Sequence, residues 1–267
     1  MLVSIVVPAY NQGAYLPITL DSVWFQDYAD LEIIVVDDGS TDNTAQVIDD
    51  YLAAVAGEKT SYAANLDETT GEVQRIYHPR YPAEGRSLTI LRHEKNRGLS
   101  AALNTGFRAA SGELCTFIAS DDLLLPAMVS ELAGLLARTG ADFAYADQHI
   151  VDDAGRILRR FRLPDYTFEA AFCHWYLCGV GKLYKRCLHE RYGYFREDLT
   201  VQDHEMYLRF AMNGAKFAHC PKVLVNLRVH DRDRAVDNHT PDNMARLYRE
   251  SSELVRIARR HKLDGQD

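Results

Sequence analysis

The amino-acid sequence predicts an α/β fold with a mostly parallel central sheet, and three observations support it. Short apolar runs rich in β-branched residues alternate with segments that carry apolar residues at helical spacing. Two of the apolar runs end on adjacent carboxylates, at Asp37-Asp38 and at Asp121-Asp122. With 267 residues, 47% of them hydrophobic, the chain is long enough to bury a sizeable core. We therefore expect one large α/β domain or two small ones.

The first four elements follow a βαβα order. Residues 3–10 (VSIVVPAY) predict a buried strand, and residues 14–26 (AYLPITLDSVWFQ) predict a helix. Residues 31–37 (LEIIVVD) predict the second strand. Residues 40–55 (STDNTAQVIDDYLAAV) predict a helix whose first residues are good caps. This order is typical of a doubly wound parallel sheet.

The alternation continues through the middle of the chain. Residues 88–112 predict a strand, a turn and a helix, and residues 113–126 (ELCTFIASDDLLLP) predict a further buried strand. A helix over 126–140 and a strand over 141–152 follow. The polar segment 57–87 has no sustained period, so we interpret it as an inserted loop or hairpin.

The end of the chain predicts a long helix over residues 240–262, with Thr240 as N-cap and Pro241 at its first position. Its basic residues could rest on an anionic membrane surface. Because Glu250 and Glu253 interrupt the positive charge, the sequence favours the alternative, a solvated face packed on the domain by an apolar stripe.

Charge and composition exclude several function classes. The net charge of −8 and the pI near 5.7 argue against a nucleic-acid partner, since binding to phosphate backbones needs a basic surface. The five cysteines include no CxxC pair, so neither a disulfide framework nor a zinc site is indicated. The sequence shows neither a signal peptide nor a membrane-spanning apolar run, which predicts a cytoplasmic protein, at most peripheral at the inner face of a membrane.

The two carboxylate pairs are the strongest functional signal. Ligands of open α/β sheets bind beyond the carboxyl ends of the strands, and both pairs are predicted there. Asp37 alone is explained equally well as a turn or cap, and a turn before Pro126 is the structural alternative for Asp121-Asp122. Adjacent carboxylates favour a hard cation, Mn²⁺ or Mg²⁺, whose remaining ligands can be phosphate oxygens.

Four segments in register resemble the N-terminal half of the family 2 glycosyltransferases, which have the GT-A fold. They are IVVPAYNQGAYLPITLDSV, EIIVVDDGSTDNT, NRGLSAALNTGFRAASGE and FIASDDLLLP. A fifth, VQDHEMYLRFAMNG, resembles the acidic segment of that family, and the resemblance covers roughly residues 2 to 230. It implies a metal-dependent, inverting transfer of sugar from a nucleotide-diphosphate sugar, with a UDP-sugar favoured, to a saccharide or lipid-linked acceptor in polysaccharide or glycoconjugate synthesis.

The resemblance also implies a role for individual residues. Asp38 would accept a hydrogen bond from the base, Asp121 would lie on the ribose side and Asp122 would be the direct metal ligand. Asp203 would be the general base that deprotonates the acceptor hydroxyl. The remaining implied donor-site residues are Pro8, Ala9, Tyr10 and Arg97, and His230 is a candidate metal ligand.

The same resemblance divides the chain into a donor-binding half (1–125), an acceptor-binding half (126–235) and a C-terminal helical extension (236–267). The chain departs from the family pattern at Ser120, where many members carry Asp, and at Gln202, where Glu commonly precedes the base.

Several structural alternatives stay open at the sequence level. Asp203 could be an ordinary helix N-cap, with Glu205 as the fallback base. Arg228 and His230 could be structural rather than near the diphosphate. Trp175 and Tyr176 could stack on an acceptor sugar or simply pack in the core.

Other protein classes fit less well. A receiver domain would be about half as long, given usual domain sizes, and a nucleotidyltransferase would carry a Gly-rich basic loop after its first strand. A non-catalytic nucleotide-sugar-binding homologue is the remaining alternative.

Overall fold

The computed structural model describes residues 1–174, 179–230 and 240–265 of the chain. The strands are β1 (Val3–Ala9), β2 (Leu31–Asp37), β3 (Lys59–Leu66), β4 (Val73–Pro79), β5 (Arg86–Arg92), β6 (Leu114–Phe117), β7 (Leu123–Leu124), β8 (Phe143–Val151), β9 (Ile157–Phe161), β10 (Lys182–Lys185) and β11 (Phe217–Arg228). The helices are α1 (Leu16–Trp24), α2 (Thr44–Gly57), α3 (Leu99–Ala109), α4 (Met128–Thr139), α5 (Cys187–Tyr192), α6 (Gln202–Met212) and α7 (Pro241–Asp264), with a π-helical segment at Glu169–His174.

Nine strands form one central sheet, and its two halves are built differently. The order β5-β2-β1-β6 is parallel throughout, as the βαβα pattern predicts. Beyond β6 the sheet becomes mixed: β10 runs antiparallel between β6 and β8, β11 is parallel to β8, and β7 and β9 add antiparallel edges. The prediction of an α/β fold with a parallel core is confirmed, and the antiparallel strands β7, β9 and β10 lie in the part of the sheet beyond β6.

Helices cover both faces of the sheet, and β1 and β2 are therefore buried on both sides. Val3, Ile5 and Val7 of β1 pack in the same core cluster as residues of α1 and α4. Val6 points the other way, into the cluster that includes residues of α3, α6 and α7. At Gly106 of α3, a β-carbon would lie 2.4 Å from a methyl carbon of Val6, so only glycine lets this helix approach the sheet.

Segment 57–87 contains a hairpin, one of the two predicted alternatives. Strands β3 and β4 pair antiparallel with each other, separately from the main sheet, and every residue of both is exposed. The hairpin leaves the domain after α2 and returns at the start of β5, where Arg86 pairs with Leu31 at the start of β2. It therefore projects from the edge where the parallel strands begin.

Helix α7 is packed on the domain through its predicted stripe. Thr240 caps it by accepting a hydrogen bond from the backbone N–H of Asn243, and Ser251, Leu254 and Ala258 are buried. Arg259 donates to the carbonyl oxygen of Cys173 at 2.8 Å, an intramolecular contact expected of a packed helix. Among the residues that the structure describes, no helix combines the length and apolar character needed to cross a bilayer.

Candidate active site

The turn after β2 separates the two acids of the first pair. Asp37 accepts a hydrogen bond from the backbone N–H of Ser40 at 3.0 Å, which is the turn role that the sequence left open for it. Gly39, directly after Asp38, has φ +69°, and a β-carbon there would lie 2.5 Å from the carbonyl carbon of Lys95. The turn therefore requires glycine, and it directs Asp38 alone towards the cleft.

Asp38 is 3% exposed and is held by three donors. The backbone N–H groups of Arg97 and Gly98 donate to its two oxygens at 2.9 and 2.8 Å, and Nδ1 of His93 lies 2.6 Å from Oδ1. A carboxylate offers about four acceptor positions, so these bonds leave room for one further donor on Oδ2. The geometry suits an N–H group of a bound base.

His93 was not identified from the sequence. Its other ring nitrogen lies 2.9 Å from the Thr105 hydroxyl, so the imidazole links Asp38 to α3 and fixes the carboxylate. Its position directly after β5, at the same sheet edge as the acid pairs, was the available signal.

The first cleft, of about 360 Å³, lies against Asp38. Of the predicted donor residues, it brings together Pro8, Ala9, Tyr10, Asp38 and Asp121. Arg97 differs from the prediction in one respect: its backbone holds Asp38, while the residue is exposed and does not line the cleft. Ser120, where the chain departs from the family pattern, also lines the cleft, together with residues that the sequence did not single out: Gln12, Asn96, Leu99, Ala102 and Ala119.

Asp121 and His230 meet at the rim of this cleft. Oδ2 of Asp121 lies 2.8 Å from Nε2 of His230, and Nδ1 of the same ring lies 2.7 Å from Asp153. Partial burial lowers the pKa of His230, but hydrogen bonds to the two carboxylates outweigh it and raise the pKa above its usual value. The predicted proximity of His230 to the acid pair is therefore present.

Asp122 is buried, with 5% of its surface exposed, and does not line the first cleft as Asp121 does. Oδ1 accepts the backbone N–H of Arg228 at 2.8 Å, and the Arg228 guanidinium binds the carbonyl oxygen of Asp121 at 3.0 Å. Burial, together with the charge of Asp121, raises the pKa of Asp122 to about 7. A nearby cation would stabilise its charged form.

A second cleft, of about 290 Å³, brings Asp122 and Asp203 together. It adjoins the first through Ala119, which lines both. Lys182 of β10 also lines it, 2% exposed, with its ammonium group 3.5 Å from the centre of the Phe117 ring. Lys182 was not predicted from the sequence, because a single lysine in a short strand usually lies at the surface.

Asp203 is the second residue of α6, and Val201 occupies the N-cap position. The alternative of a plain N-cap is therefore not what the structure shows, although Oδ1 does accept a hydrogen bond from the backbone N–H of His204 at 2.8 Å. The fallback base Glu205 accepts hydrogen bonds from Nε and one terminal nitrogen of Arg209, each at 2.9 Å, and it lines a different pocket. Trp175 and Tyr176 lie outside the described residues.

Within residues 1–174, 179–230 and 240–265, no three Asp, Glu, His or Cys side chains converge to form a metal cage. Mg²⁺ and Mn²⁺ are usually held by one or two carboxylates plus substrate phosphates. Buried Asp122 follows Asp121, which His230 contacts, and this donor set fits that kind of open site.

Comparisons with known proteins show the family of the chain. Residues 4–65 and 66–207 match the family model described as glycosyl transferase family 2. An uncharacterized glycosyltransferase of Rickettsia typhi is 26% identical over 86% of this chain, and chondroitin synthase of Escherichia coli is 27% identical over 88%. The chain spans 64% of the first relative and 30% of the second.

Two solved structures share the fold. TarS 1–349 of S. aureus, in complex with UDP-GlcNAc, superimposes with a TM-score of 0.68 at 20% identity, covering 97% of this chain and 66% of that one. The mannosyltransferase PcManGT of Pyrobaculum calidifontis, in complex with GDP-Man and Mn²⁺, superimposes with a TM-score of 0.61 at 25% identity. That match covers 86% of this chain and 57% of the mannosyltransferase.

Proposed function

Because the chain belongs to glycosyl transferase family 2, we propose that it transfers a sugar from a nucleotide-diphosphate sugar, with UDP as the preferred nucleotide, to a hydroxyl group of a saccharide or lipid-linked acceptor. The product would be a polysaccharide or a glycoconjugate. Chondroitin synthase among the relatives and the UDP-GlcNAc complex of TarS support this choice of donor and acceptor class.

The observation that carries the proposal is the pair of adjoining clefts that meet at Ala119. The first cleft contains the buried carboxylate of Asp38, which can accept a hydrogen bond from a base, and the second contains Asp122 and Asp203. A nucleotide in the first cleft would direct its diphosphate past Asp121 and Asp122, so that the sugar enters the second. We assign the donor half to residues 1–125 and the acceptor half to residues 126–235 on this basis.

Asp203 is the proposed general base. It is half-buried and lines the cleft in which the sugar would react, and a carboxylate within roughly 3 Å of an acceptor hydroxyl can remove its proton in the transition state. A single displacement, with the acceptor attacking opposite the departing diphosphate, inverts the anomeric carbon.

Asp122 is the proposed direct ligand of a divalent cation, with diphosphate oxygens completing the set. His230 would join it by exchanging its hydrogen bond to Asp121 for the cation while Asp153 holds the other ring nitrogen. Mn²⁺ in the PcManGT complex supports this choice. A bound cation would offset the negative charge that develops on the departing diphosphate. Lys182 of β10 adds a positive charge to the second cleft, and we propose that it binds the sugar there.

The decisive experiment is calorimetric titration of the wild-type chain with UDP, GDP and dTDP, each with and without Mn²⁺. We expect UDP to bind most tightly and only in the presence of Mn²⁺. Asp122→Asn keeps an acceptor for the Arg228 N–H but removes the charge, so we expect the Mn²⁺-dependent part of the affinity to disappear while the fold persists.

Failure of all three nucleotides to bind, with or without Mn²⁺, would contradict the proposal. UDP binding without turnover of any UDP-sugar would instead support the non-catalytic homologue.

A further inference from the structure

The residues that flank the β3–β4 hairpin contact the domain through ion pairs and packed aromatic rings. Arg80, directly after β4, binds Asp21 at 2.8 Å and Glu58 at 3.1 Å. The next residue, Tyr81, is 4% exposed, and its ring packs against Trp24 and Tyr51 at 5.9 and 5.4 Å between ring centres. Because both ends of the hairpin are held in this way, its orientation relative to the domain is defined.

Beyond its base the hairpin presents one apolar face. The cross-strand partners Tyr62 and Tyr77 have ring centres 5.7 Å apart, and Leu66 lies opposite Val73 nearer the tip. Since side chains two residues apart share a face, all four lie on the same side of the two strands. We call this side the aromatic face; Ala64 and Arg75 lie on it between these two pairs, and its four large apolar members are 51 to 61% exposed: Tyr62, Leu66, Val73 and Tyr77.

An isolated two-stranded hairpin is marginally stable in water, and exposed apolar surface of this kind marks an interaction site. The opposite side is more polar, with Ser61, Asn65, Gln74 and His78 alongside Ala63 and Ile76. The hairpin is therefore two-sided, and the aromatic face is the side that gains most from being covered.

The charges of the hairpin are segregated along its length. Lys59 at the base lies over the Tyr77 ring and Arg75 over the Tyr62 ring, each 5.0 Å from the ring centre. The connecting loop at the tip carries only acidic charges, at Asp67, Glu68 and Glu72. Each hairpin thus has a positive body and a negative tip.

We propose that the aromatic face is a self-association surface on which the hairpin of a second copy of this chain packs antiparallel. A two-fold axis through the contact would place the acidic tip of each hairpin beside Lys59 of the other, so that both ends are complementary in charge. The two aromatic faces would cover each other and form a small two-layered sheet.

This arrangement leaves the candidate active site open. The hairpin joins the domain where β2 and β5 begin, and Asp38 follows the opposite end of β2. Two copies joined through their hairpins would each keep both clefts accessible. We therefore expect association to leave nucleotide binding unchanged.

Sedimentation velocity of the whole chain over a range of concentrations tests the proposal. We expect the wild type to form a dimer, and Tyr62→Ser/Tyr77→Ser to weaken it about a hundredfold, because aromatic residues at an interface centre carry much of its binding energy. Ile76→Ser removes an equally exposed apolar side chain from the other side of β4 and serves as the matched control. It should dimerise like the wild type.

A charge exchange tests whether opposite charges on the two hairpins hold the contact together. Lys59→Glu/Arg75→Glu makes the hairpin entirely acidic, and Glu68→Lys/Glu72→Lys makes its tip basic. Each double variant should be monomeric alone, whereas an equal mixture should form heterodimers that weaken as salt is added. A monomeric wild type, a dimer that survives Tyr62→Ser/Tyr77→Ser, or an equal mixture that stays monomeric would each overturn the proposal, and a monomer that binds lipid vesicles would assign the face to a membrane.

Discussion

Asp38 and Asp122 are both buried carboxylates on the same side of the central sheet, yet the protein holds them in opposite ways. Asp38 receives two backbone N–H groups and the His93 ring, all within 2.9 Å. Asp122 receives one backbone N–H, and burial beside Asp121 raises its pKa to about 7. The fold supplies more hydrogen-bond donors to the first carboxylate than to the second, so the charged form of Asp122 would gain more from a bound cation.

The difference in hydrogen bonding suits the two carboxylates to different ligands, a base at Asp38 and a cation at Asp122. A carboxylate that is fixed by several donors keeps one direction for a ligand, which suits the reading of a base. A buried carboxylate with few donors binds a cation strongly, because the cation replaces the solvation that burial removed. Substitutions at the two kinds of site should therefore affect different measurements.

The largest expected effect is on turnover at the second cleft. Asp203→Asn removes the proposed base but keeps an oxygen for the His204 N–H, so we expect kcat to fall about 10²–10⁴-fold. Calorimetric UDP affinity should stay within about twofold of the wild type. The matched control is Glu205→Gln, whose side chain lines another pocket. If Glu205→Gln lost kcat to the same extent, the assignment of the base would be wrong.

The next effect is on the sugar. Lys182→Met retains much of the side-chain volume without the charge, and we expect UDP-sugar affinity to fall about tenfold while UDP affinity is unchanged. Lys185→Met is the control on the same strand, because Lys185 binds Asp142 at 2.8 Å outside the clefts. Equal losses for UDP and UDP-sugar would place Lys182 on the diphosphate instead.

Asp38→Ala should show its effect on stability as well as on binding. It leaves the N–H groups of Arg97 and Gly98 without their acceptor, which costs about 1–3 kcal/mol of the free energy of unfolding. Urea denaturation measures this loss, and Asp38→Asn should recover part of it because its oxygen still accepts. An unchanged midpoint for Asp38→Ala would contradict the account of Asp38 as fixed by the fold.

The smallest expected effect concerns Asp147, another buried carboxylate, which lines neither cleft. Burial raises its pKa, but hydrogen bonds from Leu163, His219 and Arg160 outweigh it and lower the pKa below the usual value. A lowered folded-state pKa stabilises the fold above the unfolded value of about 4, and this stabilisation is lost as the pH falls through the folded pKa.

Asp147→Asn should therefore cost about 1 kcal/mol at neutral pH and show a weaker loss of stability below about pH 4. Thermal denaturation from pH 7 to pH 3 provides the measurement. A variant that lost stability with acid as steeply as the wild type would show that other carboxylates dominate acid unfolding.

Part of the site could be predicted because strand ends share one edge of a parallel sheet. Asp38, Asp121 and Asp122 follow apolar runs, so their common location follows from the pattern. His93 was equally placed, but a single histidine after a strand carries a weak signal. Arg97 was predicted to lie near the nucleotide, and its backbone N–H contacts Asp38 although the residue does not line the cleft.

The sequence by itself determined the α/β class, the order of the first elements and the acidic strand ends, because these depend on local periodicity, whereas it left segment 57–87 open between a loop and a hairpin. Only the tertiary structure decided that Lys182 lies beside Asp122, that Glu205 is bound by Arg209, and that the aromatic face of the hairpin is exposed. Those contacts join residues whose positions depend on strand order and on the direction of β10, and no local pattern encodes either.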